Sequence, residues 1–402
     1  MWLINVKDRK LECFHDERTL PPYAILSHTW TSSEATMQEY RDLVAGNSTR
    51  SEEIKSSEGY AKIDATCRQA HRDNLSYVWV DTCCIDKTSS AELTEAINSM
   101  FRWYQKAQTC YVHLADVKGS VFIGRQQLGR AKWFTRGWTL QELIAPLDMG
   151  FYDKNCTFLG TKVSLLGHLN VITGIDENVL SDCRIISLIS VATRMSWAAR
   201  RTTTKVEDIA YSLFGIFGVN LPLLYGEGTR AFQRLQEEIL KETDDQSLFA
   251  WQVAHPDINC LPHQLSPVPL EDGVSVFAQS PDDFITTAHT FDFASPGEMS
   301  LAGGKGLKFE LPLIKIANEK HYVGVLACTN STGAFTGIVL QEMCPGHFMR
   351  HPTAPLVRVR QSDIRGSDST SIYIRKAVSA IYPSKAYSYK AHKTRRVPVV
   401  WL

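Results

Sequence analysis

The sequence predicts an α/β fold: a parallel sheet with flanking helices, then a helical segment and a β-rich C-terminal region. Two changes of texture carry this reading. Over the first 160 residues, apolar extended runs alternate with segments of helical periodicity, the pattern of a parallel sheet covered by helices. Beyond about residue 255 the chain breaks into short β-like segments divided by Pro, Gly and Ser. The expected domains are therefore 1–158, 159–255 and 256–402.

"YAILSHTW" (23–30) reads as the first strand, running into a Ser/His/Thr turn. "GYAKIDATCRQAHRDN" (59–74) places Tyr60, Ile63, Cys67 and Ala70 at helical spacing, and "YVWVD" (77–81) is a continuous apolar run of the buried-strand kind. "SSAELTEAINSMFRWYQKA" (89–107) has Ser89 or Ser90 as a cap and Leu93, Ile97, Met100, Phe101 and Tyr104 on one face. "TCYVHLADV" (109–117) is the third strand and "MGFYDKN" (149–155) the fourth. In the helical segment, "TKVE" (204–207) matches a capping box, and Phe232, Leu235 and Ile239 stripe a helix over 226–242. The β-like segments are "GVSVFA", "GLKFELPLI", "YVGVLACT", "TGIVL", "PLVRVR" and "SIYIRKA".

With 43 Lys plus Arg against 43 Asp plus Glu, no net field draws the chain to nucleic acid or to an anionic membrane. The basic stretch "KAYSYKAHKTRR" reads as solvated surface. "MWLINVKDRK" is too short an apolar run for a signal peptide, so a cytoplasmic protein is expected, its ten cysteines kept as thiols. Ser212, Asn220 and Pro222 interrupt the most apolar run, 209–226, which reads as buried helix rather than membrane span.

"WFTRGWTLQELIAP" (133–146) concentrates the candidate chemistry. At about 100° per residue, Trp133, Gly137, Leu140 and Ile144 form the core-facing stripe, while Trp138 and Glu142 share the opposite face. A helix beginning at Thr139 would be short before Pro146, so the expected start is near Thr135. Glu142 then stands inside the helix, either as a solvated carboxylate or as a reacting group partly desolvated by Trp138.

"YAILSHTW", "YVWVDTCCID", "FRWYQKAQTCYVHLADV" and "RGWTLQELIAP", in this order, resemble the fungal heterokaryon incompatibility (HET) domain over residues 23–155. "MSWAARRTTTKVEDIAYSLFGIFGVNLPLLYGEG" resembles the helical segment that follows it in many such proteins. The resemblance implies nonself recognition and regulated cell death, with assembly into a homo-oligomer on activation and an unknown nonself-recognition partner.

More distantly, the element order resembles Toll/interleukin-receptor (TIR) domains. These carry Trp, three residues, then Glu on a helix after the third strand, the spacing of Trp138 and Glu142. That resemblance implies a flavodoxin-like strand order and cleavage of the nicotinamide–ribose bond of NAD, with NAD as substrate and no cofactor. Glu142 becomes the catalytic carboxylate, beside Trp138; at the edge where such a strand order reverses, Ser27, His28, Trp30 and Asp81 are the substrate-binding candidates, with stabilisation of the turns as the alternative role of Ser27, His28 and Asp81. The chain lacks the glycine-rich loop of dinucleotide-binding domains and has "SHTWT" where plant TIR domains have a Ser-Phe-Arg-Gly-like turn.

Two alternatives stand beside this reading. One is a noncatalytic signalling module that self-associates through the Trp138 face. The other is a Cys/His hydrolase built from Cys83 or Cys84, His28 or His113, and Asp81. Cys67, His71, Cys83 and Cys84 fit no common metal-site spacing, so no metal is expected.

Overall fold

The structure is a computed structural model describing residues 1–47, 49–119, 125–253, 275–287, 292–293, 299–302, 306–316, 320–330, 332–351, 354–364 and 369–376. The basic stretch at 385–396 lies outside the described residues. Two compact units emerge, one of Met1–Ile186 with Arg201–Gly226, the other of Ser187–Arg200 with Glu227–Leu402. The segment 159–255 is thus shared between them.

The first unit is built on a mixed seven-stranded sheet. Its strands are β1 (Trp2–Asn5), β2 (Leu11–Cys13), β3 (Tyr23–His28), β4 (Tyr77–Trp79), β5 (Thr109–His113), β6 (Met149–Tyr152) and β7 (Phe158–Thr161). They lie in the order β2-β1-β4-β3-β5-β6-β7, with β4, β3, β5 and β6 parallel and antiparallel strands at both ends. The four strands expected from sequence are these central four, each ending earlier than its apolar run. The hairpin β1–β2 was not foreseen: "MWLINVKDRK" supplies β1, which lies between β2 and β4 and whose Leu3 and Ile4 are fully buried.

Every residue of β3 is buried, as a central strand covered on both faces requires. The helices before β4 are α1 (Met37–Val44), α2 (Ser51–Lys55) and α3 (Glu58–Arg72). Ser57 caps α3 by accepting from the Tyr60 N–H, and the helix buries Ile63, Cys67 and Ala70. Helix α4 (Ser90–Lys106) is capped by Ser89 and buries Ile97, Met100 and Tyr104. A short α5 (Arg125–Leu128) and a 3₁₀ turn (Lys132–Thr135) precede α6 (Thr139–Ile144). Beyond β7 come α7 (Leu166–Thr173) and α8 (Glu177–Ser181).

Helix α9 (Val191–Ala198) belongs to the second unit, whereas α10 (Asp208–Tyr211) and α11 (Phe214–Phe217) return to the first. The expected capping box at 204–207 does not form, because α10 begins one residue after Glu207, whose carboxylate instead accepts from the Gly226 N–H at 2.8 Å. Gly218, with φ 69°, closes α11 in the left-handed conformation that glycine adopts without strain. Among the described residues no helix is long and apolar enough to cross a membrane.

In the second unit α12 (Arg230–Glu242) buries Phe232, Leu235 and Ile239 as expected. It accompanies the strands β8 (Asp292–Phe293), β9 (Met299–Ala302), β10 (Gly306–Lys315), β11 (His321–Thr329), β12 (Phe335–Cys344), β13 (His347–Arg350), β14 (Val357–Val359) and β15 (Ser369–Arg375). Helix α13 (Gln361–Ile364) connects the last two. Five of the six expected β-like segments are strands. The described part of "GVSVFA" is not, because Ala278 pairs both its backbone groups with the side-chain amide of Gln236 rather than with a neighbouring strand.

Candidate functional site

The candidate residues gather at the carboxyl end of the parallel strands. Chain order leaves β3 toward β4 on one side and β5 on the other, so the strand order reverses at β3, where open α/β sheets bind ligands. Ser27 and His28 end β3, Asp81 follows β4, and His113 ends β5 opposite His28.

Helix α6 differs from its expectation. It begins at Thr139, with Trp138 in the N-cap position, and the preceding turn is 3₁₀. All six of its residues are buried, so it has no solvent face. A helix this short is marginal alone and persists through packing against β3, α4 and α8. Thr139 does not cap it, since its hydroxyl donates back to the Trp133 and Arg136 carbonyls. Trp138 is half-buried and directs its indole N–H to Asp208 at 3.3 Å.

Glu142 is only 6% exposed. Its Oε2 accepts from the Ser27 hydroxyl at 2.5 Å, and Ser27 Oγ itself accepts from the Trp133 indole N–H at 2.8 Å. Trp133 thereby orders the serine so that its single proton points at the carboxyl. Burial pushes Glu142 up to about 8, assisted by the charge of Asp81 and opposed by the Ser27 and Tyr104 hydroxyls and by the Arg201 guanidinium. Sequence reasoning missed Trp133, Tyr104 and Arg201 as neighbours of the carboxyl. Periodicity places Trp133 on the packing stripe, and Tyr104 and Arg201 lie on elements distant in sequence.

The second cluster adjoins the first. His28 Nε2 meets Asp81 Oδ1 at 2.9 Å, and Lys62 Nζ lies 2.8 Å from His28 Nδ1. An ammonium only donates, so Nδ1 accepts and Nε2–H donates to Asp81. Lys62 also pairs with Glu34 and donates to the Thr29 carbonyl at 3.2 Å. Asp81 Oδ2 accepts from the Trp30 indole at 2.7 Å. Trp30 is 54% exposed, and Lys87 Nζ sits 3.8 Å above its ring. Burial raises Asp81, yet His28, then Lys87 and Trp30, draw it down to about 2.

Because the Asp81 carboxyl is depressed on folding, it contributes stability that is present above its ordinary value of 3.8 and lost as pH falls through 2. Asp81→Asn is expected to cost about 1–3 kcal/mol at neutral pH and to free the Trp30 indole. Urea titration followed by tryptophan emission checks both, and an unchanged midpoint with unchanged emission would refute the assignment.

Of the six predicted site residues, Ser27 and Glu142 touch, and His28, Trp30 and Asp81 form the adjoining cluster. Trp138 is engaged elsewhere, on Asp208. Cys67, Cys83 and Cys84 are buried, and burial, then Cys84, raises the Cys83 thiol well above its ordinary value. A thiol held protonated is a poor nucleophile. His113 is lowered to about 4 by burial and then by the nearby Lys62 and His28.

A family profile described as heterokaryon incompatibility protein (HET) matches residues 23–128, and one described as a domain of unknown function (DUF8212) matches 230–299. The chain is 47% identical over 244 residues to vegetative incompatibility protein HET-E-1 of Podospora anserina, a match covering 59% of this chain and 17% of that protein. No solved structure matches the chain.

Proposed function

Given that the chain carries a heterokaryon incompatibility domain, we propose that it acts in fungal vegetative incompatibility as a cell-death effector that cleaves NAD between nicotinamide and ribose. The carrying observation is Glu142, a buried carboxyl raised to about 8 and bonded to Ser27 where the strand order reverses. Breaking an N-glycosidic bond builds oxocarbenium charge on the ribose, which an adjacent carboxylate stabilises. Nicotinamide departs neutral, so no strong acid is required. The pyridinium of NAD is itself a cation, and its approach favours the ionised carboxyl. Ser27 holds the orientation of that carboxyl, and Trp30 offers an exposed ring for stacking. The TIR-like strand order, with NAD as its ligand, belongs to this proposal.

Purified full chain is incubated with NAD in dilute and crowded form, and free nicotinamide is measured against Glu142→Gln. Release that disappears in the variant is the expected result; an assembled, cell-killing form that releases none overturns the enzymatic reading. A noncatalytic reading takes the half-buried Trp138 as part of a self-association surface. It requires Trp138→Ala to abolish self-association while Glu142→Gln leaves killing intact.

A further inference from the structure

The segment that follows β3 is fastened to α3 through one buried side chain. Lys62, 5% exposed, carries three protons on its ammonium and finds three acceptors around it. They are His28 Nδ1 at 2.8 Å, the Thr29 carbonyl at 3.2 Å and Glu34 Oε1. Glu34 Oε1 also takes the Thr31 N–H at 2.8 Å and the Thr31 hydroxyl at 3.2 Å. All these groups belong to residues 28–34, so the ammonium gathers the segment from both ends, and Trp30 stands between the points held. The first turn of α3 meets the same segment. A Cβ on Gly59 would lie 2.4 Å from the Ser33 carbonyl oxygen and 2.7 Å from Glu34 Cα, backbone atoms that cannot swing aside as a side-chain end could.

Trp30 is fixed at its indole nitrogen by Asp81, whose other oxygen meets His28 Nε2, so the imidazole that Lys62 engages also stands behind the indole. Its ring is nevertheless 54% exposed. An exposed aromatic on a coil segment ordinarily loses conformational freedom when a ligand stacks on it, which weakens binding. Here the backbone on either side and the indole N–H are held before a ligand arrives.

We propose that Lys62 is a positioning residue for ring binding at Trp30: its three hydrogen bonds fold residues 28–34 so that the indole is presented, already in place, to the planar ring of a nucleotide. The identity of that ligand rests on the NAD reading above; the folding of the segment does not. Arginine would not substitute, because its planar fork cannot direct three donors from one nitrogen. Methionine approximates the length of the lysine stem and donates nothing.

The test labels histidine and tryptophan side chains with ¹⁵N in the full chain, with Glu142→Gln as background so that NAD stays intact. The Trp30 indole resonance is assigned by its loss in Trp30→Phe, and NAD is titrated against it. Lys62→Met is expected to move the His28 Nδ1 and Trp30 indole resonances and to weaken NAD binding by roughly tenfold. Gly59→Ala displaces the segment without removing a hydrogen-bonding group; it should move the Trp30 resonance and weaken binding likewise, and serves if Lys62→Met does not fold. A Trp30 resonance that stays in place, or an unchanged affinity in a protein that binds NAD, overturns the proposal. A resonance that moves while no form binds NAD upholds the shaping of the segment by Lys62 and sinks the NAD reading instead.

Discussion

Glu142→Gln is expected to abolish nicotinamide release and, in the same protein, to raise stability above pH 8. The two effects share one cause. A carboxyl whose ordinary value is 4.5 stands at about 8 here because burial disfavours its charge. Its folded value lies above its unfolded value, so the stability it contributes is fully present below 4.5 and is lost as pH rises through 8. Each pH unit between the two values is worth about 1.4 kcal/mol, and the whole interval is on the order of a few kcal/mol. Glutamine occupies the same volume, keeps an acceptor for the Ser27 hydroxyl, and carries no charge to desolvate. The variant should therefore match the parent near pH 4 and exceed it near pH 9, while cleavage falls by at least about a hundredfold for want of an anion near the ribose. Thermal melts of both proteins from pH 4 to pH 9 are decisive: parallel curves would mean that the carboxyl is not held protonated.

The second large effect is purely steric. In α11, a Cβ on Gly215 would lie 2.0 Å from Phe101 Cβ and 2.5 Å from its Cγ. These atoms sit next to the α4 backbone and cannot swing aside as a side-chain end could, so α4 and α11 must separate to admit even one methyl. Gly215→Ala is expected to destabilise the first unit by about 3 kcal/mol, the upper range for overpacking. Phe101→Ala combined with Gly215→Ala would not relieve the clash, because the nearest atom is the Cβ that alanine retains. Urea denaturation of the single and double variants tests this, and a Gly215→Ala protein as stable as the parent would show that the two helices are not held at this separation.

The parallel strands were legible because each is buried on both faces and so reads as an apolar run. Leu3 and Ile4 are just as buried, but a strand of four residues followed at once by charges does not make a pattern. Ser27, His28 and Asp81 stood out by type and by position at strand ends, and Glu142 by its spacing from Trp138 on the helix after the third strand. Their pairings did not. That Trp133 aims the Ser27 hydroxyl follows from a contact spanning 106 residues, and periodicity reports only which side of a helix a residue occupies. The same limit explains α6. Its length and its lack of a solvent face are imposed by what closes over it, so the division into an apolar stripe and a polar face had no counterpart.

Lys62, His28 and Asp81 form a ladder that runs from the interior to the exposed ring of Trp30, with every imidazole nitrogen engaged by a protein group. A ligand arriving at this edge finds most of the furniture bolted down. On the outer side the Lys87 ammonium rests on the Trp30 face. If the proposed NAD reading holds, a planar ring would exchange with that ammonium on the indole, which Asp81 holds still.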